Sequence, residues 1–216
     1  MADGTPVRLV SLDGDDRTVR VVLSDGSELE LAADSLPPAL PVPGESLAPE
    51  TEAALRGAAA RKTAARLVFE MLDRRLHTRR DLQRKLTDRG IDPESAAAVL
   101  DMFEAQGLHS DRHYAEAWCR DTVRTKAVGR RFLEAKLREK GVAAGVAAAV
   151  AADALDDADE REAVDRAARS WWRRRGGDPH DPRTLAKGVR FLTGRGFPPG
   201  LAQSAVRAAA AADGEE

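Results

Sequence analysis

Four histidines, one cysteine and a few glycine-flanked arginines are the side chains of this 216-residue chain from which a reactive centre could be built. His109 and His113 stand four apart, the separation of paired metal ligands on one helix face. Ser110 or Asp111 is placed to cap the helix that follows, which leaves His109 outside it, and no third ligand follows at a helical spacing. His77 and His180 fall in expected loops with nothing to complete a triad, and Cys119 has no histidine positioned by spacing to activate it. The TGRG run at 193–196 is too short for a nucleotide fingerprint and has no strand before it, and no GxxxxGK[ST] occurs. These patterns give no support to an enzyme, and neither a metal nor a cofactor is expected.

What repeats is basic. RRDLQRKLTDRG at 79–90 and RRFLEAKLREKG at 130–141 align at a constant offset of fifty-one residues. The alignment extends to apolar positions: Ala64 with Ala115, Leu67 with Trp118, Leu82 with Leu133, Leu86 with Leu137, Ile91 with Val142 and Val99 with Val150. Recurrent apolar positions follow from a recurrent fold. Recurrent cations, Arg79 with Arg130, Arg80 with Arg131, Lys85 with Lys136 and Arg89 with Lys140, do not follow from it. With Leu82 and Leu86 inward, a turn of about 100° per residue sends Arg80 and Arg84 outward, and likewise Arg131 and Arg138, while Arg79, Lys85, Arg130 and Lys136 flank the buried stripe. Together with Arg124 and Lys126 these are the candidate contacts to phosphate or to an acidic protein. The simpler account of any one of them is a solvated face stapled by pairs such as Asp81 with Lys85 or Glu134 with Arg138, each worth about 0.2–0.5 kcal/mol.

The charge distribution agrees. Residues 1–60 carry four basic and eleven acidic side chains, whereas residues 61–140 carry nineteen basic and thirteen acidic, so a net charge of −2 conceals a positive middle. One cysteine excludes an intrachain disulfide and a cysteine-rich zinc site, and fits a reducing compartment. The N-terminus lacks the basic start and apolar run of a signal peptide, and the longest apolar stretch, 142–155, is too short to span a bilayer. A cytoplasmic, soluble monomer without membrane association is expected.

Alanine-rich, aromatic-poor composition favours closely packed helices. Alternating β-branched segments broken by Asp-Gly turns predict a three-stranded meander within 1–36, which is too small to be stable alone and must pack on the helical body. A proline-rich linker, 37–48, follows. Helical repeats are expected at 49–108, 109–156 and 157–212, each of three helices. In the first, Thr78 with Asp81, Gly90, and Asp92-Pro93 mark helix ends. The third repeat follows an acidic loop, DDADE at 156–160. Its offset has grown to fifty-five, with Leu192, Gly196 and Phe197 in the places of Leu137, Gly141 and Val142, Gly188 in the place of Leu133, and the loop 173–182 absorbing the extra length. Trp118 and one of the adjacent pair Trp171 and Trp172 are expected in the core, the other tryptophan partly exposed.

The stretches HTRRDLQRKLTDRGI (77–91), GLHSDRHYAEAW (107–118), VGRRFLEAKLREKGV (128–142) and VRFLTGRGF (189–197), in that order and spacing, resemble the RecX family, regulators of the bacterial recombinase RecA, over residues 46–207. The resemblance implies a mainly α fold, an elongated curved array of three three-helix repeats, here preceded by the small antiparallel β meander. It implies binding to the RecA filament on single-stranded DNA, suppression of ATP hydrolysis and strand exchange, weak non-specific contact with the DNA itself, and no catalytic residues. Two other readings are a sequence-specific helix-turn-helix-like DNA-binding protein and a helical-repeat scaffold unrelated to DNA. The first is disfavoured because the third helices, AAAVLDMFEA and GVAAAVAADAL, carry almost no side chains able to read base edges.

Overall fold

The computed structural model describes residues 6–175, 177–178 and 180–213. Three strands, β1 (Leu9–Gly14), β2 (Thr18–Leu23) and β3 (Glu28–Ala32), form an antiparallel meander in the order β1-β2-β3. Asp15 makes the first turn by accepting the N–H groups of Arg17 and Thr18, and Asp25 makes the second by accepting that of Ser27. The alternation of β2 puts Val19, Val21 and Leu23 on one buried face. That face meets Leu55, Ala58 and Ala59 of α1 (Pro49–Arg74). Polar fasteners frame the contact: Arg56 reaches Asp25, and Lys62 donates to Thr18 Oγ1, Glu30 and the Leu31 carbonyl.

The end of the proline-rich stretch 37–48 is hydrogen-bonded to the backbone around the start of β1. Gly44 N–H donates to Leu9 O at 2.7 Å, Leu9 N–H to Glu45 O at 3.0 Å and Leu47 N–H to Val7 O at 2.8 Å, while Leu47 itself is buried. It pairs with the start of β1 at Leu9 and with Val7 and Arg8 just before it.

The described residues divide into two units, one of residues 6–77 and 81–109 and the other of the described residues of 78–80 and 110–213. In the first, the second half of α1 packs Ala64 and Val68 against Leu82 and Leu86 of α2 (Arg79–Thr87) and Ala96, Val99, Leu100 and Phe103 of α3 (Pro93–Ala105). The expected cap is present, since Asp92 accepts the N–H of Ser95 at 2.8 Å.

The second unit holds two further clusters. One gathers Ala115 and Cys119 of α4 (Asp111–Thr125), Leu133 and Leu137 of α5 (Arg130–Glu139), and Ala147, Val150 and Ala151 of α6 (Ala144–Ala154). The other is built by α7 (Asp157–Arg175), α8 (Pro182–Gly194) and α9 (Pro199–Asp213). The acidic stretch expected as a loop is largely the first turn of α7, with Asp156 accepting the N–H groups of Ala158 and Asp159. The loop expected at 173–182 starts later, because α7 continues through Arg175, and positions 176 and 179 within it lie outside the described residues. Trp171 and Trp172 are both buried, at 7% and 2% exposure, where one was expected to emerge. Gly188 supplies the reason. A Cβ there would stand 3.0 Å from the Trp171 ring and from Val206, so the leucine missing from this repeat leaves the space that the second indole fills.

Two backbones nearly touch between α5 and the end of α8. Gly129 N–H donates to Arg195 O at 2.9 Å, and a Cβ on Gly129 would lie 2.5 Å from Gly196 O. Gly196, at φ +85°, faces the Phe132 amide at a distance that no side chain could enter. We expect Gly129→Ala to cost about 2–4 kcal/mol by denaturant unfolding. Gly194→Ala, in a helix with nothing near its Cβ, should be neutral or stabilise by up to about 1 kcal/mol.

Candidate partner-binding surface

The side chains that sequence singled out lie chiefly on α2 and α5, and the predicted facing holds: Arg80, Arg84, Arg131 and Arg138 are exposed, while Arg79, Lys85, Arg130 and Lys136 are half-buried beside the apolar stripe. Burial does not make them alike, because their partners differ.

Arg130 is tied down inside the fold. Its backbone N–H donates to Glu160 Oε1 at 2.8 Å and its Nε to Glu160 Oε2 at 2.9 Å, and the guanidinium also reaches Asp157. Glu160 is 2% exposed, a buried carboxylate held at the head of α5 where the first N–H groups have no acceptor within the helix. The hydrogen bond to Asp157, then that to Glu160, raises the Arg130 pKa further. The head of α2 repeats the arrangement: Arg79 N–H donates to Asp111 Oδ1 at 2.7 Å, Thr78 Oγ1 to Lys140 O at 2.9 Å, and Arg80 to Glu139 O. Gly141 has no Cβ where the Arg80 side chain lies, since one would meet Arg80 Cβ at 2.7 Å.

Farther along α2, Asp81 accepts from His77 Nδ1 at 2.6 Å, Arg84 at 2.6 Å and Lys85 at 3.1 Å. Partial burial works against this carboxylate, but the hydrogen bonds from His77, Arg84 and Lys85 outweigh it and hold its pKa well below the usual carboxylate range. On α5, Lys136 pairs with Glu139 at 2.7 Å and lies over the Phe132 ring, and Arg138 stands 4.0 Å from Glu134. Arg124 pairs with Asp121 at 3.1 Å, and Lys126 is exposed just after α4. Arg131 is exposed on the wall of a groove of about 470 Å³ formed with Phe132, Lys136, Thr193 and Phe197.

The candidate chemistry of the other residues resolves differently. Ser110 caps α4 by accepting His113 N–H, with buried His109 before the helix and exposed His113 within it, so the two imidazoles do not share a face. Burial pushes the Cys119 thiol up to about 11, which keeps it neutral in the core. Trp118 is half-buried with Lys140 Nζ 5.5 Å from its ring centre, not enclosed as expected. Among the described residues no group of His, Cys, Asp and Glu could hold a metal, and no helix is long and apolar enough to cross a membrane.

One cationic site was missed. Arg174 and Arg175 at the end of α7 and Arg195 after α8 line a pocket of about 280 Å³ with Trp171 and Phe191. The run RRR at 173–175 and the arginine inside TGRG were visible in the sequence, but only the packing of α7 beside α8 brings them together.

Models of known families match two stretches of the chain: residues 64–102 match the first three-helix domain of RecX and residues 110–155 the second. The protein named Regulatory protein RecX from Halorhodospira halophila is 39% identical over 168 residues, 77% of this chain and 95% of the relative. The one from Amycolatopsis mediterranei is 31% identical over 149 residues, 68% of this chain and 82% of the relative. The chain belongs to the RecX family. The RecX fold is also that of two solved structures: a regulatory protein RecX with a TM-score of 0.70 at 22% identity, covering 90% of this chain and 96% of its own, and RecX from Lactobacillus salivarius, with 0.63 at 20%, covering 70% and 97%.

The geometry separates holding residues from displayed ones in this RecX chain. Arg130→Ala, which abandons a buried carboxylate, is expected to lose about 2–3 kcal/mol of stability, less than a wholly buried pair because the guanidinium is partly solvated. Arg131→Ala should stay within about 0.5 kcal/mol in the same urea titration. For Asp81 the sign follows from its depressed pKa: the stabilisation is complete above the unfolded value of roughly 3.9 and disappears as pH falls through the lower folded value. Asp81→Asn should therefore be less stable than the parent at pH 7, and the difference should shrink on acidification below pH ~4.

Proposed function

We propose that this chain binds the filament formed by the recombinase RecA on single-stranded DNA and modulates it, chiefly restraining ATP hydrolysis, strand exchange and filament growth in recombination and DNA repair. It would act in the cytoplasm as a monomer and without catalysis of its own. Membership of the RecX family carries this reading, with a match at 39% identity that covers 95% of a relative named as a regulatory protein. The exposed cations on α2 and α5 support it, since they could meet acidic protein or phosphate without disturbing a core. The composition of the third helices continues to disfavour a reader of base edges: α3 presents Asp101, Met102 and Glu104 to solvent, and α6 presents alanines and Asp153.

Of the ten cations selected from sequence, Arg84, Lys126, Arg131 and Arg138 are the proposed contact residues, while Arg130 is assigned to the fold. Addition of the full chain to RecA assembled on single-stranded DNA, at low salt and stoichiometric excess, is expected to lower ATP turnover. The triple variant Arg84→Ala, Arg131→Ala, Arg138→Ala should need about tenfold more protein for the same inhibition, with a weaker salt dependence and unchanged helicity. No effect of the parent protein on turnover would remove the reading.

A further inference from the structure

We propose that the pocket walled by Trp171 and Phe191 and ringed by Arg174, Arg175 and Arg195 takes a phosphate of single-stranded nucleic acid together with its neighbouring base.

Three observations converge on it. Its five lining residues are three arginines and two aromatics, with no carboxylate among them. At least four of the eight cations on α2 and α5 instead stand against carboxylates: Arg84 and Lys85 with Asp81, Arg130 with Asp157 and Glu160, Lys136 with Glu139. The geometry is also prepared. Arg195 donates to Ala127 O at 3.1 Å and its Cζ stands 4.6 Å from the centre of the Phe191 ring, and Arg174 Nε donates to Ser170 O at 3.0 Å. Side chains already held by the fold lose less freedom when a ligand arrives. Finally, the surfaces match the ligand. With Trp171 only 7% exposed, the flat face open to a base is chiefly the Arg195 guanidinium on the half-buried Phe191 ring, and the surrounding N–H donors suit phosphate oxygens. Trp171 and Phe191 stand 6.3 Å apart with an interplanar angle of 34°, so the wall is a shallow angle between two rings.

Arginines in the last turn of a helix also complement its dipole, and that account serves Arg173, Arg174 and Arg175 equally. It does not explain why Arg195, from a different helix end, lies over Phe191 in the same pocket. Nothing in the pocket reads sequence: no asparagine or glutamine lines it, so strands of different sequence should bind alike. An acidic peptide would satisfy the arginines but leave the aromatic wall without a flat partner, which is why nucleic acid is the favoured occupant.

The test needs no recombinase, so it fails or succeeds separately from the filament reading. The anisotropy of a short, labelled oligothymidylate is titrated with the full chain at low salt. The double variant Arg174→Glu, Arg175→Glu should bind it about tenfold or more weakly and reduce the slope of log affinity against log salt by about 0.7, one phosphate contact's worth. The double variant Arg161→Glu, Arg169→Glu reverses equal charge at exposed positions on the same helix and should bind within about threefold of the parent, helicity being checked in both. Oligothymidylate should quench tryptophan emission, and Trp171→Phe should remove most of that response while leaving Trp118 and Trp172 in place. Equal losses in the two double variants would reduce the effect to net charge and overturn the proposal. So would unchanged oligonucleotide binding in the Arg174, Arg175 variant, whether or not that variant has lost binding to polyglutamate; loss of polyglutamate alone would assign the pocket to an acidic protein segment.

Discussion

A helix that begins inside a folded protein must find acceptors for its first N–H groups, and two middle helices of this chain solve the problem in the same way. Asp111 accepts the N–H of Arg79 at the head of α2, and Glu160 accepts that of Arg130 at the head of α5. Both acceptors come from the helix that opens the following repeat. The seat for each helix head is completed by a glycine-terminated turn, through Lys140 O and Gly141 in one case and Arg195 O and Gly196 in the other. Each seat brings a carboxylate and a backbone carbonyl from later in the chain to one helix head.

This constraint changes the meaning of the repeated cations. Arg130 recurs with Arg79 at a position where a carboxylate is present in both repeats, so a guanidinium there can serve folding before it serves any partner. Burying Glu160 would be costly without a cation beside it, and Arg130 supplies both a backbone and a side-chain donor to the same carboxylate. Recurrence alone therefore does not separate a binding surface from a structural one. Exposure combined with partner identity does, which distinguishes Arg131 from its immediate neighbour.

Much of the architecture was legible because its signals are local. The inward stripe of Leu82 and Leu86, the Asp92 cap and the Asp25-Gly26 turn each depend on residues within a few positions of one another, and each stands where expected, whereas Gly14 belongs to β1 and Asp15 makes the first turn. The family resemblance was legible for the same reason, through short runs whose order is distinctive. What could not be read depends on distant packing. Glu160 sits in an acidic run that looks solvated, and only the approach of α5 buries it. The two adjacent tryptophans break the rule that neighbours on a helix face apart, because Gly188 opens a second apolar recess. The prolines at 37–44 suggested a tether, yet the backbone after them pairs with β1. The cationic pocket required two helix ends to meet, which no run of residues could reveal.

The 26-residue α1 belongs to two apolar clusters at once, its first half closing the sheet and its second half framing α2 and α3. The strands are consequently no detachable ornament. Stripped of them, Leu55, Ala58 and Ala59 would form a sticky stripe on a helix rooted in the rest of the body, and the chain would trade a covered surface for one that invites self-association. A shortened protein that starts beyond the meander would have to recolour that stripe with polar side chains to stay dispersed.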